Sequence, residues 1–128
     1  MPFVTDEGPV AKVIFPVMLT PRGVDEMLRL MRGVHSDGKA RVHLVDLRNI
    51  NAKYVTPTSR RLAVDLATKF AEEFPGVLLA VASFTTSPVV WAGHQAFCWF
   101  FPEDPPRRIF LSEREARVWV DSVLRQAA

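Results

Sequence analysis

The run at residues 77–84, VLLAVASF, constrains the fold more than any other stretch of this chain. It is a short continuous apolar segment, closed on one side by Pro75 and Gly76 and on the other by Thr85, Thr86, Ser87 and Pro88. Both alternating sets of side chains are apolar, so a strand here must be covered on both faces, which is the habit of parallel strands flanked by crossover helices. Residues 40–47, ARVHLVDL, alternate Val42, Leu44 and Leu47 imperfectly around Val45 and read as a second such strand, central in the sheet.

The segments between these strands carry helical periodicity. Thr20 is placed as an N-cap with Pro21 at the first helical position, and Val24, Met27, Leu28 and Met31 follow at the spacing of one buried face, ending near residues 33–38. Over residues 56–74, Leu62, Leu66, Phe70 and Phe74 trace one face with Ala63 and Ala67 beside them, and Pro75 and Gly76 stop the helix. Ser87 and Pro88 open a third helix through Trp91, Gln95, Cys98 and Trp99. Ser112 with Glu115 predicts a capping box for a last helix whose buried stripe is Ala116, Trp119, Val120 and Val123. Residues 10–19 read as one strand or two short ones, with Pro16 suggesting an edge position or a break, and residues 109–111 as a minimal strand. The alternation predicts an α/β fold: a single layered domain over residues 1–128, core about 10–124, with a four- to five-stranded mixed sheet and about four helices.

Composition limits the function classes. A chain of 128 residues, 48% apolar and 23% charged, has the make-up of one globular domain. The net charge of +2 comes from 16 basic and 14 acidic residues spread along the chain, so no basic stripe points to nucleic acid. A lone cysteine, Cys98, excludes an intrachain disulfide and a multi-cysteine metal site, and fits a reducing, cytoplasmic setting. No basic leader region precedes the apolar residues 13–19, and no apolar run approaches the roughly 20 residues of a membrane-spanning helix. A soluble protein is expected, without metal or cofactor.

Phosphate-binding glycine loops and a nucleophile-elbow motif are absent from the sequence, and no carboxylate pair stands out. His94 and Cys98, four apart, share a helix face, but no third group completes a catalytic or metal set, and a small buried hydrophobe is the ordinary role of such a cysteine. Two candidate sites remain. Thr56, Thr58 and Ser59 stand at a helix start, where a hydroxyl caps free N–H groups or, phosphorylated, gains from the dipole and from Arg60 or Arg61. Trp91, His94, Phe97, Trp99, Phe100 and Phe101 go nearly all round a helix, offering an interface or the wall of an apolar-ligand pocket.

The order of elements, the strand end LVDLRNI, the helix start SRRLA at residues 59–63 and the closing set Arg108, Phe110, Ser112, Ala116 and Trp119 resemble STAS-type proteins related to the anti-sigma-factor antagonist SpoIIAA, and more closely its SpoIIAA-like branch of small bacterial proteins. The resemblance covers residues 10–124. It implies a non-enzymatic protein-interaction module of regulatory type, with an unidentified protein partner or a second copy of itself. In the antagonists a serine after an aspartate at this helix start is phosphorylated; here Thr56 follows Val55 and Ser59 follows Thr58. A binding protein for an apolar small molecule or lipid is the alternative that the aromatic residues support.

Overall fold

The computed structural model describes residues 3–99 and 101–128. Five strands form one sheet in the order β1-β2-β3-β4-β5: Phe3–Asp6, Val10–Ile14, Arg41–Asp46, Leu78–Phe84 and Arg107–Phe110. β1 runs antiparallel to β2, and the other neighbours are parallel. Four α-helices accompany them: α1 (Pro21–Val34), α2 (Pro57–Glu73), α3 (Pro88–Cys98) and α4 (Glu113–Ala127).

The strand order dictates the layering. Crossovers that step one way along a sheet, each with the usual right hand, lay their helices on one face. Accordingly Met27 and Leu28 of α1, Leu66 and Phe70 of α2 and Val90 of α3 share a core with Val13, Val45, Val81 and Ile109 of the sheet. The opposite face belongs to α4, whose Ala116 and Val120 pack on Val42, Leu44, Ala80, Ala82 and Phe84. Period-two alternation separates the two sets, and all six residues of β3 are buried, as its two-sided cover requires.

Local signals work as the sequence predicts at the helix starts. The hydroxyls of Thr20, Thr56, Ser87 and Ser112 each accept a hydrogen bond from the backbone N–H three residues on. Of the capping box expected at Ser112, only this bond from Glu115 N is made; the full reciprocal pair is found at Thr56 and Ser59. Gly38 ends the 3-10 turn His35–Asp37 with φ of 72°, a left-handed conformation that a side chain would strain.

Two boundaries differ from the sequence reading. The strand expected over residues 10–19 ends at Ile14, because Pro16 cannot donate to the ladder and the chain leaves the sheet there. The last strand begins at Arg107, two residues before the apolar signal, and Leu111 lies beyond it. β1 is an edge strand that residue type did not announce; it holds Val4 against the first core and leaves Thr5 and Asp6 exposed.

Candidate functional site

The first face of the sheet carries three helices, and they do not close over it. α1 packs against α2, while α3 stands over β5. Between α2 and α3 lies a cleft with a cavity of about 130 Å³. Small side chains make the room: Ala63 and Ala67 on α2 and Gly93 on α3 line it where larger residues would fill it. Leu66, Phe70, Val81 and Phe97 give it an apolar lining, and Val17, Met18 and Tyr54 stand exposed at its border. Its size compares with that of engineered apolar cavities of about 150 Å³ that take up benzene.

Polar groups enter from one row of the sheet. Register pairs Ala11 with His43, His43 with Val81 and Val81 with Arg107, so His43 and Arg107 flank Val81 on the cleft side. Neighbouring strands are about 4.8 Å apart, which sets these two residues roughly 10 Å from each other. His43 Nε2 lies 2.9 Å from His35 Nε2, one ring donating and the other accepting. Both rings pack against Phe70, with centroids 4.9 and 5.0 Å away.

Burial sets the charge of this row. Desolvation, then the neighbouring His35 and Arg107, push the His43 imidazole down to about 3. Desolvation lowers His35 also, and desolvation followed by Arg107 takes His94 down to about 4. These rings are neutral at pH 7. The Cys98 thiol is pushed up by its burial, the opposite of an activated nucleophile. Arg107 is the fixed charge of the group. Its guanidinium stacks on the Phe101 ring at 4.3 Å, and among the described residues its buried Nε has no hydrogen-bond partner.

The residues singled out from sequence divide between places. Thr56 and Ser59 complete the cap of α2: Ser59 N donates to Thr56 Oγ1 at 3.2 Å, Thr56 N donates to Ser59 Oγ at 2.8 Å, and Ser59 Oγ donates to Thr56 O at 2.9 Å. Thr58 and Arg61 are exposed on the first turn, whereas Ser59 and Arg60 border the cleft. His94 and Phe97 face the cleft from α3. Trp91, Cys98, Trp99 and Phe101 border a second, outer groove, so His94 and Cys98 open on different spaces. Trp91 Nε1 donates to Ile109 O at 3.4 Å, and Trp99 is 79% exposed. Phe100 lies outside the described residues.

Sequence reasoning missed Arg107 and His43 as members of one site. The signal for both is parity: Arg107 stands two before Ile109, and His43 two before Val45, and alternate residues of a strand share a face. The strand-end motif has a local role. Asp46 accepts from Arg48 N at 2.9 Å, Arg48 Nε at 3.1 Å and Arg48 Nη2 at 2.8 Å, and the guanidinium lies 5.0 Å from the Phe84 ring, on the α4 face and away from the cleft. Among the described residues no group of three or more His, Cys, Asp or Glu could hold a metal ion, and no helix is long and apolar enough to cross a membrane.

No family model and no curated protein matches this chain. A solved structure does. An uncharacterized protein of the DUF3478 family with a SpoIIAA-like fold, from Shewanella loihica PV-4, aligns with a TM-score of 0.65 at 17% identity, over 94% of this chain and 92% of that one. The chain therefore has a SpoIIAA-like fold, with the five-stranded mixed sheet and four helices expected of it.

Proposed function

We propose that this chain is a non-catalytic binding protein whose cleft between α2 and α3 takes up an apolar small molecule or the tail of a lipid. The observation that carries the reading is the cleft itself: an apolar cavity of about 130 Å³, opened by Ala63, Ala67 and Gly93 between helices that otherwise bury large side chains. Apolar surface left facing water in such a cleft forgoes about 25 cal/mol per Å² relative to burial. An occupant would offset that cost. The neutral histidines give the cleft no poised acid or strong base, and the raised Cys98 thiol belongs to the outer groove, which favours binding over chemistry.

The test is a neutral solvatochromic probe, N-phenyl-1-naphthylamine, titrated into the wild-type protein and an Ala63→Leu variant that fills the cleft. Saturable fluorescence in the wild type, lost in the folded variant, is the expected result. Equal uptake by both would refute the cleft as the site.

A second reading, the protein-interaction module, has an observation of its own. Trp99 is 79% exposed and Val89 66% exposed on α3, and large exposed apolar side chains are enriched where partners dock. The SpoIIAA-like fold is compatible with such a role. The phospho-switch is the weaker part of it, because the Thr56 and Ser59 hydroxyls are already engaged in capping α2.

A further inference from the structure

Two arginines stand on or beside the first face of the sheet and are treated very differently: Arg41 is buried, whereas Arg107 is half-buried with its Nε withdrawn from solvent. Arg41 Nη1 and Nη2 each donate to Asp37 at 2.8 Å, its Nε donates to Gly8 O at 2.9 Å, and Asp6 lies 3.5 Å away. Every edge of that guanidinium is used. Arg107 has the stacking partner Phe101 but, among the described residues, no carboxylate in ion-pair range and no acceptor for its buried Nε. Glu103 borders the same outer groove without forming an ion pair to it. A buried N–H left without an acceptor costs about 1–3 kcal/mol, and among the described residues none accepts from this Nε.

The neighbours sharpen the point. His43 and His94 are neutral, so they neither compensate Arg107 nor add charge to it. The guanidinium therefore stands as a positive charge where the apolar cleft meets the outer groove, since Arg107 lines both, stacked on Phe101 and with its Nε edge unpaired among the described residues. That edge suits a planar anion, because Nε–H and one Nη–H are parallel donors matched to two carboxylate oxygens.

We infer that the cleft's ligand is an amphipathic monocarboxylate, with its apolar body between α2 and α3 and its carboxylate paired to the Nε edge of Arg107. The inference rests on the proposed binding role and adds the class of ligand to it. The apolar lining selects a hydrocarbon or aromatic body by burial, and Arg107 selects the head by charge.

The experiment is calorimetric titration of the whole protein with octanoate and with octanamide, which have the same body and differ in head charge, repeated on Arg107→Met and Arg60→Met. Wild type should bind octanoate about 10- to 100-fold more tightly than octanamide, the range of a hydrogen-bonded charge pair. Arg107→Met should abolish that preference through the loss of octanoate affinity, and Arg60→Met, at the exposed mouth, should retain it. Equal affinity of the wild type for the two compounds would overturn the anionic ligand while leaving the cleft as a binding site. Loss of the preference in Arg60→Met but not in Arg107→Met would overturn the role given to Arg107. Binding of neither compound up to its solubility would overturn the inference together with the binding role.

Discussion

The two faces of the sheet use small residues to opposite ends. On the α4 face, Ala80, Ala82 and Ala116 are fully buried, and they let one helix settle onto the strands until the space is closed. On the other face, Ala63, Ala67 and Gly93 border open space. The difference lies in what covers the small residues. α4 alone lies along β3, β4 and β5, and its Ala116 sits on the alanines of β4. On the other face the cover is divided: α2 packs against α1 and α3 stands over β5, and the small residues of α2 and α3 border the gap between them. A small side chain thus brings close packing under one continuous helix, and a cleft at the junction of two.

The closed face should be the more fragile to truncation. Phe84 is fully buried there, and its ring has Arg48 at 5.0 Å and Lys12 at 5.9 Å. Phe84→Ala should cost about 3–5 kcal/mol, read as a lowered urea midpoint, because the ring is wholly buried among packed side chains and its removal leaves a cavity. A loss under about 1.5 kcal/mol would mean that α4 shifts to fill the hole, and the contrast between the faces would weaken.

Acid should act first on the open face. The chain's three histidines, His35, His43 and His94, all belong to that side. In the unfolded chain they protonate as pH falls through about 6.5, whereas folded His43 stays neutral down to about 3 and His94 to about 4. The unfolded state then binds more protons, so stability is lost as pH drops from 6.5 toward those values, by about 1.4 kcal/mol per pH unit for each fully buried histidine. Between pH 6.5 and 5 this is roughly 2 kcal/mol for His43 alone. On the α4 face Asp46 is held below its ordinary value by Arg48 against the effect of burial, so its contribution is lost only below about 3.8. Urea midpoints against pH for wild type and His35→Leu/His43→Leu check the assignment: between pH 6.5 and 5 the double variant should lose the share of the slope that His35 and His43 carry and keep that of His94.

What the sequence carried, and what it did not, follows the same division. Periodicity, caps and breakers act locally, so the strand at residues 77–84, the α2 face through Leu66 and Phe70 and the starts at Thr20, Thr56, Ser87 and Ser112 could be read in one dimension. The cleft could not. Ala63 and Ala67 look alike whether a neighbour covers them or not, and the junction of His43 with Arg107 depends on β3 and β5 flanking β4, which no local pattern states. The aromatic residues 97–101 were conspicuous by type, yet their roles diverge: Phe97 is buried toward the cleft, Phe101 supports Arg107, and Trp99 faces solvent.

Filling the open face slightly should help the fold. A Cβ on Gly93 would meet Val55 Cγ1 at 3.6 Å, an ordinary contact, and the backbone there is helical. Gly93→Ala should therefore raise stability by about 0.5–1 kcal/mol, the difference between the two residues in a helix interior. If the same variant also weakens N-phenyl-1-naphthylamine uptake, the space beside α3 is where the probe sits. Destabilisation instead would place Val55 and α3 under a closer constraint than 3.6 Å implies.

The smallest effect on stability is expected at the most conspicuous side chain. Trp99 is 79% exposed at the end of α3, and truncating an exposed residue without buried partners shifts stability by no more than about 0.5 kcal/mol. Its value lies in what else the substitution moves. With thermal and urea midpoints unchanged in Trp99→Ala, any fall in self-association, measured by sedimentation equilibrium over a range of concentrations, belongs to a surface and not to the fold. That would give α3 two jobs, a cleft wall through His94 and Phe97 and a docking surface through Val89 and Trp99. An unchanged sedimentation profile would remove the homodimer and leave the exposed tryptophan to a different protein. A large loss of stability would show that Trp99 is packed in solution, and the separation of α3 into a cleft side and a free side would fall with it.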